Sequence, residues 1–295
     1  MTTREECLRL IGWQLNQDIF PVVHNGGIVK PSEKAIATTT WAQAKENDHA
    51  KRPRRPETGS RAGAARRERA PCGNGSPDQA PHIVSSVLRE QYLAEFDKIE
   101  AAYPGLIVWQ QADGIWLRTE SSLMSGLGKK AVFLTGIPFT TKYIARSWGF
   151  WDGMLFSSPV WIGPKHTNYP DGSICAFEPT DGTWVLGDCI LELLDMYTLW
   201  ALRHNHFEVF QRWPGRQRMH FPYERMTELD VDELCGCGAN KRYRDCCLKG
   251  DLSRNFEVEK MNFLSQRAGG VRMPPPEIVK FVKEKKVPVK ISEYL

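Results

Sequence analysis

Apolar residues fall into separate periodic blocks along this chain. Val84, Val87, Leu88, Tyr92, Phe96 and Ile99 recur mostly at three- and four-residue steps, which predicts one amphipathic helix from Ile83 to about Ala102. Pro104-Gly105 ends it. Four extended runs follow, at Leu106–Gln110, Ile115–Thr119, Ala131–Ile137 and Met154–Ile162. Asp113-Gly114 is a tight-hairpin dipeptide between the first two, and Gly126 and Gly128 punctuate the next connection. Strands joined by turns, without helices between them, predict an antiparallel meander. After a polar loop, Ile190, Leu193, Leu194, Tyr197 and Leu199 form a helical stripe within Val185 to about Arg203, and Pro214-Gly215 closes the unit. The expected class is therefore α+β: a helix, a four-stranded antiparallel meander, a loop and C-terminal helices over 83–215.

The flanks differ in pattern. Within 1–43, Cys7 to Leu15 fits one amphipathic helix and Phe20 to His24 a short extended piece, with no role to assign. Residues 44–82 are Arg-, Ala-, Gly-, Pro- and Ser-rich with almost nothing apolar to bury, so a disordered basic linker is expected. A cysteine-rich module occupies 216–250. The remainder, 251–295, reads as a tail or docking arm, with Pro274-Pro-Pro276, a short basic helix at Glu277–Lys286 and an extended end.

Charge and composition change this picture in two places. The net charge of +4 is concentrated in 51–69, where eight Lys/Arg face two Glu, so the rest of the chain is slightly acidic. No aromatics interleave with those arginines to stack on bases, which argues against nucleic acid as a partner. With 41% hydrophobic and 25% charged residues the chain has the make-up of a soluble globular protein. No apolar run approaches the roughly 18 residues that span a bilayer, and Glu5 and Glu6 sit where a leader would be apolar. A cytoplasmic protein without membrane contact is expected, and in that compartment cysteines serve metals or catalysis more than disulfides.

Four of the eight cysteines are Cys235, Cys237, Cys246 and Cys247, spaced Cys-x-Cys, eight residues, Cys-Cys. Four thiolates suit a closed tetrahedral Zn2+ site, and glycines at 236 and 238 ease the turn around a metal. The stretch resembles the SEC-C motif, a small zinc-binding unit, and the resemblance implies protein docking or adaptor use. Of the rest, Cys7 and Cys72 read as bystanders and Cys189 as core packing within the second helix.

The remaining cysteine carries the chemistry. Trp161 to Cys175 delivers a polar His166-Thr167-Asn168 step, a Pro170-Asp171-Gly172 turn, and then Cys175 behind Ile174. A thiol with an amide donor fixed nearby is a minimal acyl-transfer site. His166-x-Asn168 followed by Gly172-x-Ile174-Cys175 resembles the active-site segment of ubiquitin-conjugating enzymes, and in wording the bacterial relatives of CBASS-type antiphage operons. Thr167 stands where that family usually has Pro, and the loop is one residue shorter than its common form.

The resemblance implies a UBC fold and a transferase. Cys175 would form a thioester with the C-terminus of a partner protein, for which the family context suggests a cyclic-oligonucleotide synthase (a cGAS-like nucleotidyltransferase), and pass it to an acceptor amine. Asn168 would stabilise the oxyanion or brace the loop, and His166 would fix the loop. Trp184 would pack beneath the site. His204, His206, Asp181, Glu178 and Asp188 are the candidates for taking the amine's proton. Two alternatives stand beside it. One is a Cys–His hydrolase pairing Cys175 with His166 or His204, disfavoured by Pro179, which stops a helix from running on after Cys175. The other is a non-catalytic protein-binding adaptor in which Cys175 is merely buried.

Overall fold

Five antiparallel strands form the central sheet of the computed structural model, which describes residues 4–17, 22–28, 81–121, 129–140, 143–153, 159–177, 182–266, 272–286 and 290–294. A first helix, α1 (Arg4–Asn16), precedes a two-stranded ribbon of β1 (Val23–His24) and β2 (Gly27–Ile28). Then come α2 (Pro81–Leu93), α3 (Phe96–Ala102) and the sheet strands β3 (Ile107–Gln110), β4 (Gly114–Glu120), β5 (Ala131–Pro138), β6 (Arg146–Trp151) and β7 (Val160–Trp161). The strands pair in sequence order, each antiparallel to the next, so the sheet is a meander. The long α4 (Ile190–Phe210) follows, then α5 (Pro222–Glu228), α6 (Leu248–Leu252), α7 (Phe256–Gln266) and α8 (Pro276–Glu284).

Alternation along the strands sorts the core. Ile115, Leu117, Phe133 and Ile137 point to one face, where they pack with Tyr92, Ile99, Leu193, Leu194 and Tyr197 from α2, α3 and α4. Trp116, Val132, Leu134, Trp148 and Phe150 point to the other, beneath Ile278 and Val282 of α8 and Ile291. Every residue of β5 is buried. The segment expected to be a tail therefore covers a sheet face: its apolar positions Ile278, Val282 and Ile291 had no visible partner in the sequence, and the even-numbered positions of β4, β5 and β6 are that partner. At the other end, Leu8, Ile11 and Leu15 of α1 pack with Val22, Val23 and Leu202.

Several expectations need correcting. The single helix over 83–102 is two, broken at Ala94-Glu95, where Glu95 turns inward. Its carboxylate accepts the Ile190 N–H (2.8 Å) and the Cys189 thiol (3.3 Å), closing the start of α4. Burial pushes the Glu95 carboxyl above its usual range. Cys189 is thus the half-buried residue preceding α4, not a core residue inside it. The fourth expected strand, Met154–Ile162, is paired only at Val160–Trp161, and 154–158 lie outside the described residues. The strand missed was β6, so the meander has five strands. Its glycine masked the pattern: a Cβ at Gly149 would lie 2.6 Å from the Trp200 ring, so the residue is small because α4 crosses there. Of the predicted linker, 44–80 lie outside the described residues. No helix among the described residues is long and apolar enough to cross a membrane.

Candidate functional site

Between β7 and α4 the chain makes an irregular hairpin that is held from several sides. Thr167 and Ile174 bridge antiparallel. The Asn168 N–H donates to Ser173 O (2.7 Å) and the Gly172 N–H to Asn168 O (2.9 Å), closing the Pro-Asp-Gly turn. The Asp171 carboxylate accepts the Ser173 N–H (3.0 Å) and pairs with Arg146 (2.5 Å). Trp148 and Trp161 donate their indole N–H groups to the carbonyls of Asp171 (2.8 Å) and Gly172 (3.3 Å). Ile174 N–H reaches Ser147 O of β6 at 2.7 Å, which ties the loop to the sheet. Thr167 spends its hydroxyl on Pro164 O (2.7 Å), a local tie that proline could not make.

Cys175 leaves this frame immediately after its last anchor. It is half-buried, takes part in no disulfide, and sends its N–H to His166 O at 3.1 Å. Asn168 turns both amide hydrogens into the loop, to Ser173 Oγ (3.2 Å) and Ile174 O (3.0 Å). Of the two roles open to Asn168, the geometry displays the brace. His166 occupies the left-handed region (φ 50°), a conformation of a few per cent of non-glycine residues. Its carbonyl accepts the Trp200 indole N–H (2.8 Å), its ring lies 4.1 Å from that of Trp213 between centroids, and its Nε2 meets Gln217 Oε1 at 2.8 Å. Gln217 donates its amide to Glu233 (3.0 Å), so its oxygen faces His166 and Nε2 carries the proton. Burial pushes the His166 pKa well below the usual imidazole value.

The other sequence candidates scatter. His204 is buried edge-on between Trp200 and Trp213, and burial lowers its pKa to about 3. His206 bonds to Arg212 O (2.9 Å) beneath α1, where a Cβ at Gly12 would lie 2.5 Å from its Nε2. Asp188 accepts the Val185 N–H (3.0 Å) and shapes the turn before α4. Glu178 and Asp181 lie outside the described residues. Trp184 is buried, donates to Cys189 O (2.9 Å) and lines the same cavity as Cys175.

That cavity has a volume of about 450 Å³ and contains Cys175, Asn168 and His166 in its walls. Its apolar lining includes Ile144, Phe177, Trp184, Val185, Leu186 and Tyr197. The lining also takes in residues that sequence reasoning did not connect with Cys175: Arg218, Met219, His220, Glu224, Glu228 and Arg272. Nothing local to the Cys175 segment signals them, because they belong to the next module and the stretch after it.

In that module the sulfur atoms of Cys235, Cys237, Cys246 and Cys247 all lie within 4.8 Å of one another. Cys237 and Cys246 are 3.5 Å apart, and Cys246 and Cys247 3.8 Å. Four sulfurs 2.3 Å from one ion at tetrahedral angles would be separated by about 3.8 Å, so the cluster fits a metal ion. Gly238 takes the left-handed turn (φ 84°) between the two ligand pairs. A buried fork of Arg225 on Asp251 (2.8 and 2.7 Å), joined by the Tyr243 hydroxyl (3.1 Å), knits α5 to α6 beside the cluster.

The module and the cysteine loop share one polar network. Lys165, adjacent to His166, is buried, and its Nζ donates to Glu228 O (2.7 Å) and Glu233 (3.3 Å). Glu233 also accepts the Trp213 N–H and the Gln217 amide. On the far side Arg272 pairs with Glu228 (2.7 Å) and lies 4.5 Å over the Tyr169 ring, while a Cβ at Gly172 would sit 2.7 Å from the Met273 backbone. Comparison with protein-family models, with curated proteins and with solved structures returned no match.

Proposed function

We propose that the protein is a ubiquitin-conjugating-like acyl carrier. Cys175 attacks the activated C-terminus of a partner protein, holds it as a thioester, and yields it to an amine. The observation that carries this reading is the placement of Cys175. Cys175 lines a cleft together with His166 and Asn168, on backbone fixed at its anchors yet outside any helix or strand. A thioester is already reactive, so the protein mainly has to position it and exclude water. The braced loop and the two-sided cleft fit those tasks, and Asn168 acts in this scheme as a brace. Glu224 and Glu228 also line the cleft, and in this scheme they are the candidates for taking the proton of an incoming amine.

The hydrolase alternative asks a histidine to take a proton from Cys175. His166 is committed to Gln217 and Trp213, and His204 to the interior, which disfavours it. The adaptor alternative treats Cys175 as packing, whereas the residue is half-buried in the lining of a cleft. By the sequence resemblance, the partner is a cyclic-oligonucleotide synthase in antiphage defence, acting in the cytoplasm, and the ion in the four-cysteine cluster is Zn2+. Zinc there supplies a structural cross-link, since a unit this small buries little apolar surface alone.

Partition between amine and water tests the proposal. The protein, loaded with a Gly-Gly peptide from a small-molecule thioester, is chased with a lysine-containing peptide. The expected result is an isopeptide product with free acid a minor species. Free acid as the sole product would establish hydrolysis instead.

A further inference from the structure

We infer that the cleft selects the acyl donor by its penultimate side chain, and that this side chain is a bulky apolar one. The inference rests on the acyl-carrier reading and names the substrate class for the same thiol. At about 450 Å³ the cavity is within the range of small-ligand pockets, larger than a bare Gly-Gly tail requires. A cavity of that volume is roughly 9 Å across, and one residue advances an extended chain by about 3.5 Å. The cavity is therefore wide enough to hold a side chain one residue behind a carbonyl on Cys175.

Much of the lining is apolar. Trp184, Phe177, Leu186 and Tyr197 belong to it, as do Ile144 and Val185, which are 47% and 50% exposed although both are large aliphatics. Several polar groups that line the cleft are already engaged: Arg272 with Glu228, Arg146 with Asp171, and Glu224 with the Phe221 N–H. Among the described residues of the lining Arg218 is an exposed cation, suited to the donor's upstream backbone carbonyls or an acidic residue. Charge complementarity thus favours a neutral-to-acidic tail over a basic one.

Peptide thioesters ending in X-Gly, with X as Leu, Phe, Gly, Asp or Lys, test this on the full-length, metal-loaded protein. Ending every donor in glycine keeps the reacting carbon the same. In each case Cys175 sulfur attacks the carbonyl carbon, the bond to the small leaving thiol breaks, and the released thiolate takes up a proton. Intact-mass kinetics should show Leu and Phe donors loading roughly tenfold or more faster than Asp and Lys donors. In Ile144→Asp and Val185→Asp, whose exposed positions tolerate the change, that ratio should fall toward one. Equal loading of all five donors, or preference for Asp over Leu, overturns the apolar pocket while leaving the acyl carrier intact. Absence of loading from every donor, with Cys175 still open to alkylation, overturns the acyl-carrier reading on which the inference stands.

Discussion

Gly172 shows how closely the site depends on single residues. It combines a left-handed φ of 64° with a contact that leaves no room for a methyl group against Met273. Gly172→Ala should cost about 1–3 kcal/mol and slow the loading of Cys175, read by thermal unfolding and intact mass. Unchanged stability would show that the 272–274 stretch yields. His204 gives a second test, with a definite sign. Its folded pKa lies near 3, below the ordinary value of 6.5, so the unfolded chain binds the proton first. Its contribution is fully present above pH 6.5 and is lost progressively as pH falls towards 3, at up to about 1.4 kcal/mol per pH unit. His204→Phe should flatten the acid side of the stability profile by about that slope, and a profile parallel to the parent's would contradict the burial of a neutral ring. Neither residue's role could be inferred from sequence. Pro-Asp-Gly identified the turn, but not the backbone laid against it, and a histidine in a helical stripe looks the same whether it faces a site or two tryptophans.

At the scale of elements, the sequence was legible wherever periodicity was strong and locally determined. The second helix was legible from its stripe, though Gln211 in the left-handed region ends it at Phe210 and a turn held by Asp188 delays its start. Three of the strands were legible for the same reason, and the Cys175 loop from its Pro-Asp-Gly turn chemistry. Strand β6 was not, since Gly149 and two tryptophans break the alternation that a sheet buried on both faces does not require. The four-cysteine spacing announced a metal module, but nothing in it announced that Glu233 and Gln217 would reach Lys165 and His166. This shared network makes a prediction of its own. Removing the metal with a chelator should raise amide hydrogen exchange at 165–175 as well as within 217–250. Protection retained at 165–175 would show that the loop is held by the sheet alone.

For the whole molecule, the parts expected to be separate in the sequence close around one cleft. The meander supports the cysteine loop, residues within 218–228 and Arg272 join it in lining the cleft, and the C-terminal segment seals the sheet's second face. Under the proposed function, a flat display of Cys175 would serve any acceptor, whereas a walled cleft would restrict both what is loaded and how water enters. The central claim is that the acyl group lands on the Cys175 sulfur. Peptide mapping of the loaded, metal-bound protein tests it most directly. The account predicts a single hydroxylamine-sensitive adduct on the peptide containing Cys175, absent in Cys175→Ala. An adduct on any other cysteine, or loading that survives Cys175→Ala, would contradict it.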